Sequence, residues 1–270
     1  MVEINTKYKI GTRRFGFINW IGAWTLYKKE VLRFLVVWIQ TIISPVITSV
    51  LFLLVLSVAV DNYRGEVLSV NFVNFLAPGL IAMQLIQQSF SHSSSTFLMS
   101  KIQGNIVDIL YAPLSSLEVT MAISLAAITR SMMIIVISII FFSITIDMKI
   151  LNFINLIVFS ILSASIMASI GIISGLWAEK FDHMATITNF IIVPLSFLSG
   201  TFYSIEKLPM FLQTISKINP FFYMIDGFRY SFIGQSDGSI EFGILYLTSL
   251  SIIIWFIAFI LYKKGYKLKS

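Results

Sequence analysis

The chain has 270 residues, of which 57% are hydrophobic and only 12% charged, against roughly 25% charged in an ordinary soluble domain. With a mean hydropathy of +0.89, it has too few polar side chains to cover a soluble fold, and lipid is the covering it can use. Cysteine is absent, and the two histidines, His92 and His183, are far apart. Disulfides, thiolate metal sites and a multi-histidine site within one chain are therefore excluded. The net charge of +6 reads as a basic excess on the cytoplasmic side of a membrane, and no nucleic-acid partner is expected.

Lys7, Lys9, Arg13, Arg14, Lys28 and Lys29 punctuate the first 30 residues. No clean apolar run precedes a small-residue cleavage site there, so no cleaved signal peptide is expected. Residues 15–33 mix Phe17, Ile18, Trp20, Ile21, Trp24, Leu26 and Tyr27 with Lys28, Lys29, Glu30 and Arg33. This predicts an amphipathic helix along the cytoplasmic interface.

Six apolar stretches follow, each near the ~20 residues a helix needs to cross hydrocarbon. They fall at 34–60, 72–91, 119–146, 153–177, 186–203 and 242–262. Long apolar runs read as helices because a backbone in lipid must satisfy its own hydrogen bonds. Pro45 predicts a kink in the first span, and Pro194 and Gly200 interrupt the fifth. Six spans place both termini on one side. Thirteen Lys and Arg fall on that side and five on the other, with Arg130 inside the third span. Both termini are therefore expected in the cytoplasm.

The pattern G-x-x-x-x-G-K-S/T is absent, so the chain has no phosphate-binding loop of its own. Its acidic residues lie in the expected tails and connections; no catalytic residue is assigned, and the absence of a mid-span carboxylate disfavours an ion-coupled carrier. For Arg130, snorkelling to headgroups, a structural ion pair and contact with an anionic substrate or partner subunit all fit. Gln84, Gln87 and Gln88 share one helix face. An amide facing lipid loses its hydrogen bonds, so this face meets another helix or lines a translocation route. Ser163, Ala164, Ser165, Ala168, Ser169, Gly171, Ser174 and Gly175 make the fourth span a close-packing helix.

Between spans two and three, Ile102, Ile106, Ile109 and Leu110 recur at helical spacing among Lys101, Gln103, Asn105 and Asp108. This predicts a short amphipathic helix at about 99–113, stopped by Pro113. It fits a partner's groove or the bilayer surface. Ser115, Ser116 and Glu118 offer capping groups for the next helix. After span five, Leu208 to Ile218 and Phe221 to Tyr230 form two amphipathic stretches separated by Asn219-Pro220. They are too short and polar for two more spans, and suit an aromatic interfacial anchor or a gate over a pathway.

Residues 194–232, PLSFLSGTFYSIEKLPMFLQTISKINPFFYMIDGFRYSF, and residues 101–119, KIQGNIVDILYAPLSSLEV, resemble the membrane subunits of type-2 ABC exporters, particularly drug-type and nodulation-type permeases of bacteria. The order of elements covers nearly all of the chain. The resemblance implies an all-α membrane fold: an interface helix within 1–33, a six-helix transmembrane domain at 34–262 and a basic tail at 263–270. A coupling helix lies at about 99–113 and an external re-entrant region at about 204–232. It further implies two copies of a separate ABC ATPase, carrying ATP and Mg, and a second permease subunit as a homodimer in the bacterial inner membrane. By this similarity Gln84, Gln87 and Gln88 line the pathway. Lys101, Ile102, Ile106, Asp108 and Ile109 couple to the ATPase, and Phe221, Phe222, Tyr223 and Arg229 form an external gate. The permease binds no cofactor. The expected cargo is an amphiphilic or hydrophobic small molecule, drug or lipid-linked substrate; relatives also export polysaccharide or lipo-oligosaccharide.

Overall fold

The structure, a computed structural model, describes residues 18–60, 67, 68, 70–146 and 148–268. The basic stretch through Arg14, the expected helix start at 15–17, Arg64 and Lys269 lie outside them. In chain order the elements are α1 (Trp20–Val36), a π turn (Ile39–Ile43), α2 (Ser44–Val60), α3 (Phe72–Ile102), α4 (Ile106–Tyr111), α5 (Ser116–Thr145) and α6 (Phe153–Trp177). Then come α7 (Phe181–Ile187), a second π turn (Thr188–Ile192), α8 (Val193–Leu198), a 3-10 turn (Ile205–Lys207), α9 (Met210–Ile218), α10 (Pro220–Ile233) and α11 (Ile240–Lys263). Asn19, Asn71, Ser115, Asn152, Asn219 and Ser239 each accept a first-turn N–H at a helix start. Those donors have no carbonyl partner within the helix.

Among the described residues, five helical stretches are long and apolar enough to cross a membrane: Ile39–Val58, Ser116–Thr145, Phe153–Trp177, Phe181–Leu198 and Ile240–Lys263. α3, with 31 residues, reaches about 46 Å but carries three glutamines and a hydroxyl-rich second half. It lies inside the bundle, packed chiefly on α6 and α5, so its polar groups meet protein. Gly171 and Gly175 of α6 admit the α3 backbone. A Cβ on Gly171 would sit 2.7 Å from the Phe90 carbonyl oxygen, and one on Gly175 2.6 Å from that of Ser94.

The first and fifth expected spans differ in detail. Each π turn ends two residues before a proline, Pro45 in α2 and Pro194 in α8. Proline offers no N–H to the carbonyl four residues back, and widening the preceding turn accommodates that gap. The expected fifth span at 186–203 instead starts at Phe181 and ends at Leu198. Gly200 (φ +80°) then turns the chain. α9 and α10 form a short hairpin at that end, and α10, at 14 residues, is about 21 Å long, too short to cross.

Candidate functional site

At one end of the bundle, α3 runs through Ile102 and Gly104 (φ +77°) turns the chain into α4. The expected helix at 99–113 is thus divided. Ile106 and Ile109 are buried in a cluster with Leu26, Phe97, Val119 and Ile172, which fastens α4 to the bundle. Ile102, Val107, Asp108, Leu110 and Tyr111 are exposed, Tyr111 at 86%. The apolar set at helical spacing therefore serves two surfaces. The Lys101 ammonium donates to the carbonyls of Leu176, at 2.8 Å, and of Ala178. It closes the C-terminal end of α6, whose last carbonyls have no amide of their own.

Glu118 joins this end together. Its Oε2 accepts the Ser115 N–H at 2.6 Å, and the Ser115 hydroxyl accepts the Glu118 N–H at 3.4 Å, a reciprocal cap on α5. Its Oε1 accepts the Asn19 N–H at 2.7 Å. The Asn19 side chain in turn caps α1 through the Gly22 N–H and donates to the Pro113 carbonyl at 3.2 Å. One buried carboxylate thus connects the starts of α1 and α5 beside the exit from α4. Farther along, the Tyr27 and Thr129 hydroxyls share a hydrogen bond of 2.9 Å, and Phe34 clusters with Ile134. α1 therefore follows α5 in the same direction for several turns.

A second cluster between α1 and α3 was not singled out from the sequence. Glu30 is buried and pairs with Arg33 at 2.9 Å. Thr96 Oγ1 donates to Glu30 at 2.9 Å and lies 2.6 Å from Arg33 Nη2, which also donates to the His92 carbonyl. Charges at i, i+3 on α1 and His92 and Thr96 at i, i+4 on α3 were the available signal. Next to the end of α11, Lys267 pairs with Glu179 at 2.8 Å. This hydrogen bond holds the Glu179 carboxyl below its ordinary range.

Within the bundle, Gln84, Gln87 and Gln88 are half-buried on α3. The structure gives Gln88 a helix-packing role: its side-chain oxygen accepts from Arg130 Nη2. The same nitrogen donates to the Thr41 carbonyl at 3.2 Å. Arg130 is buried and points inward, with hydrogen bonds to an amide and a carbonyl, rather than reaching out to headgroups.

At the opposite end, Phe221, Phe222, Tyr223 and Arg229 are all buried. Arg229, 1% exposed, donates to the Gly200 carbonyl at 2.6 Å, and its guanidinium carbon lies 3.9 Å from the Phe75 ring centre. Asn219 donates to the Ser199 hydroxyl at 2.7 Å and accepts the Phe221 N–H. Asp237 accepts from the Ser204 hydroxyl at 2.6 Å and the Ile205 N–H at 3.1 Å. Arg229 and Asn219 thus hold the 199–201 turn, while Tyr223 packs on Phe222 and on Phe242 and Tyr246 of α11. Among the described residues, no group of three or more His, Cys, Asp or Glu is placed to hold a metal ion.

Long apolar helices around a polar, largely buried central helix define a multi-pass α-helical membrane protein. The family model for the ABC-2 type transporter matches residues 22–233, and the chain belongs to that family. It is 30% identical over 244 residues to the inner membrane transport permease YadH of Escherichia coli strain K12, covering 88% of this chain and 94% of that one. It is 24% identical to nodulation protein J of Rhizobium leguminosarum bv. viciae (84% and 86% covered) and 23% identical to that of Neorhizobium galegae (82% and 83%). The chain is thus a non-catalytic permease subunit and a bacterial multi-pass inner-membrane protein. Membership of the family implies an ABC ATPase subunit and a second permease as partners.

Proposed function

We propose that the chain is the membrane-spanning half of an ATP-driven exporter, moving an amphiphilic or hydrophobic small molecule, drug or lipid-linked substrate outward. Two permease copies assemble with two ATPase subunits, which hold the ATP and Mg. Six spans, counting α3, put both termini in the cytoplasm, the side favoured by the basic residues. Residues 1–33 form the tail and α1 region, 34–262 the transmembrane domain and 263–270 the basic tail.

The observation that carries this reading is the construction of α4. Ile106 and Ile109 anchor it, while Ile102, Val107, Asp108, Leu110 and Tyr111 present an apolar surface with one carboxylate. A protein groove suits that surface, and Glu118 ties its exit to α1 and α5. A push on α4 is then delivered to two long helices. Lys101 holds α6 in the same unit. Gln84 and Gln87 are the remaining pathway-lining candidates on α3. Phe221, Phe222, Tyr223 and Arg229 close the external end, as a gate. By the family resemblance the second permease meets the first and fifth spans, Ile39–Val58 and Phe181–Leu198, which like the sixth are sparsely covered within this chain.

Co-purification with a separate ABC ATPase subunit, followed by ATP-dependent export from inverted vesicles, tests the reading. Failure to form any such complex overturns it. Uptake driven by an ion gradient without ATP would establish a secondary transporter instead. Vesicles supplied with lipo-oligosaccharide or polysaccharide distinguish that cargo from small amphiphiles.

A further inference from the structure

α11 ends at Lys263, yet the chain stays on the bundle beyond it. The Gly265 N–H donates to the Tyr262 carbonyl at 2.9 Å and the Tyr266 N–H to the Leu261 carbonyl at 3.1 Å, with Gly265 at φ +69°. This is the left-handed helix close that glycine permits. A second turn follows. The Leu268 N–H donates to the Gly265 carbonyl at 3.2 Å, and Lys267 takes φ +51°. A side chain disfavours that backbone conformation, and two contacts hold the lysine in it. Its ammonium pairs with Glu179 at 2.8 Å and lies 5.7 Å from the Trp177 ring centre, both at the end of α6.

The two turns carry Leu268 inward. It is 6% exposed, no more than Ile106 of α4 at 7%. It shares a cluster with Ile106 and Ile109, with Leu26 of α1 and with Val119 of α5. Among the described buried members of that cluster, Leu268 alone lies outside a helix. α4 needs such support. It has six residues, fewer than the ~12–15 at which a helix begins to hold by itself in water. Gly104 also breaks its continuity with α3. Its stance therefore rests on what packs around Ile106 and Ile109. Lys263 and Lys264 are exposed, as a basic flank requires, but a flank alone has no use for a buried leucine or for the turns that deliver it.

We propose, on the reading of α4 as the helix that meets the ATPase, that residues 264–268 are a strap fixing α4 in the stance it presents. Leu268 is a positioning residue that acts through Ile106 and Ile109, and the Lys267–Glu179 pair is the clasp. The clasp is exposed and weak by itself, so Leu268 carries most of the effect.

The test compares the full chain with L268D, L268A and L268M. An aspartate does not stay in an apolar cluster, so L268D releases the strap, while L268M keeps the apolar volume. In detergent, amide hydrogen exchange over residues 106–111 is expected to quicken roughly fivefold or more in L268D, less in L268A and not in L268M. Exchange in the middle of α5 and α6 and the melting temperature are expected to stay with the parent, which separates a released strap from a failure to fold. L268A is the milder variant should L268D not fold. Titration with a separate ABC ATPase subunit is expected to give an apparent Kd raised about threefold or more in L268D and unchanged in L268M, because a displaced α4 lowers the fraction competent to bind. Parent-like exchange over 106–111 in L268D and L268A overturns the proposal. Quickened exchange with an unchanged Kd overturns the positioning role, since α4 would then be held by the strap without being set for the ATPase. A parent that binds no ATPase subunit sinks the exporter reading instead, and the exchange result then decides the strap by itself.

Discussion

Arg130 supplies the hydrogen-bond donor that Pro45 withholds from Thr41. Pro45 lies four residues after Thr41 and has no N–H, and the Thr41 carbonyl accepts from Arg130 Nη2 at 3.2 Å. The same guanidinium nitrogen holds Gln88 of α3. The kink in the first span, the charge in the third and the amide face of the second thus form one device. A hydrogen bond to a charged group contributes roughly 1.5–3 kcal/mol, and R130M is expected to cost about that much. In a P45A background Thr41 regains an intrahelical partner, so R130M should cost about 1 kcal/mol less. Unfolding of the four proteins in detergent measures the coupling. Strictly additive losses would show that the two positions are independent.

Asn19 permits a sharp test of the joint at Glu118. N19A removes the side-chain bonds to Gly22 and Pro113 but leaves the N–H that Glu118 accepts. N19P removes that N–H as well, at a helix-start position whose φ of −85° is close to proline's own. N19A is expected to cost about 1 kcal/mol as a lost cap. N19P should cost a further ~1.5–3 kcal/mol because the buried carboxylate loses one of its hydrogen-bond donors. Hydrogen exchange should rise at the start of α1 in both and at the start of α5 only in N19P. Identical exchange at α5 in both variants would mean that Glu118 caps its own helix and nothing more.

The sequence made part of this site legible. Local signals survived well: the Ser115–Glu118 cap, the Asn219-Pro220 break and the prolines in spans one and five all mark features of the backbone. The three glutamines announced a face that meets another helix or lines a route; Gln88 accepts from Arg130 of α5. The partners were hidden. Glu118 finds Asn19 across 99 positions, and Arg33 finds Thr96 across 63. No periodicity links such residues. Helical spacing also grouped Ile102 and Leu110 with Ile106 and Ile109; it could not register the turn at Gly104, which leaves Ile102 on α3, nor that α4 buries only its Ile106–Ile109 edge and leaves Leu110 exposed. The aromatic segment at 221–223 left an interfacial anchor and a gate both open. Its composition suits a membrane edge, yet all three side chains are buried, Tyr223 against Phe242 and Tyr246 of α11.

Gly171 and Gly104 carry opposite requirements, and alanine separates them. A Cβ on Gly171 would meet the Phe90 carbonyl at 2.7 Å and the Ser93 hydroxyl at 2.0 Å, while one on Gly104 would meet nothing within 4 Å. G171A forces α3 and α6 apart and is expected to cost about 1–3 kcal/mol. G104A costs about 1 kcal/mol through its φ of +77° alone. The two differ further in place. G171A should lower the melting temperature of the whole bundle, whereas G104A should loosen α4 and increase its proteolysis. A G171A protein that melts with the parent would remove close α3–α6 packing as a source of stability.

Asp226 gives the α10 end of the bundle an inverted response to acid. It lies in the short α10 helix, 2% exposed, and accepts the N–H groups of Asp237 at 3.0 Å and Gly238 at 2.9 Å. Burial outweighs these donors and the nearby Arg229, and pushes the carboxyl from 3.8 up to about 6. The folded chain therefore holds the proton more tightly than the unfolded chain does. Its contribution to stability is fully present below about 3.8 and is lost as pH rises through about 6. The shift corresponds to something on the order of 2–3 kcal/mol. Most acidic groups with ionic partners behave in the opposite way, so the parent should show a local stability gain between pH 6.5 and 4.5. D226N cannot titrate and should lose that gain. It should also lose about 1 kcal/mol at low pH, because an amide oxygen accepts from only one of the two N–H groups well. Melting temperatures of the two proteins across this window decide the matter: parallel curves would assign the acid response to another group.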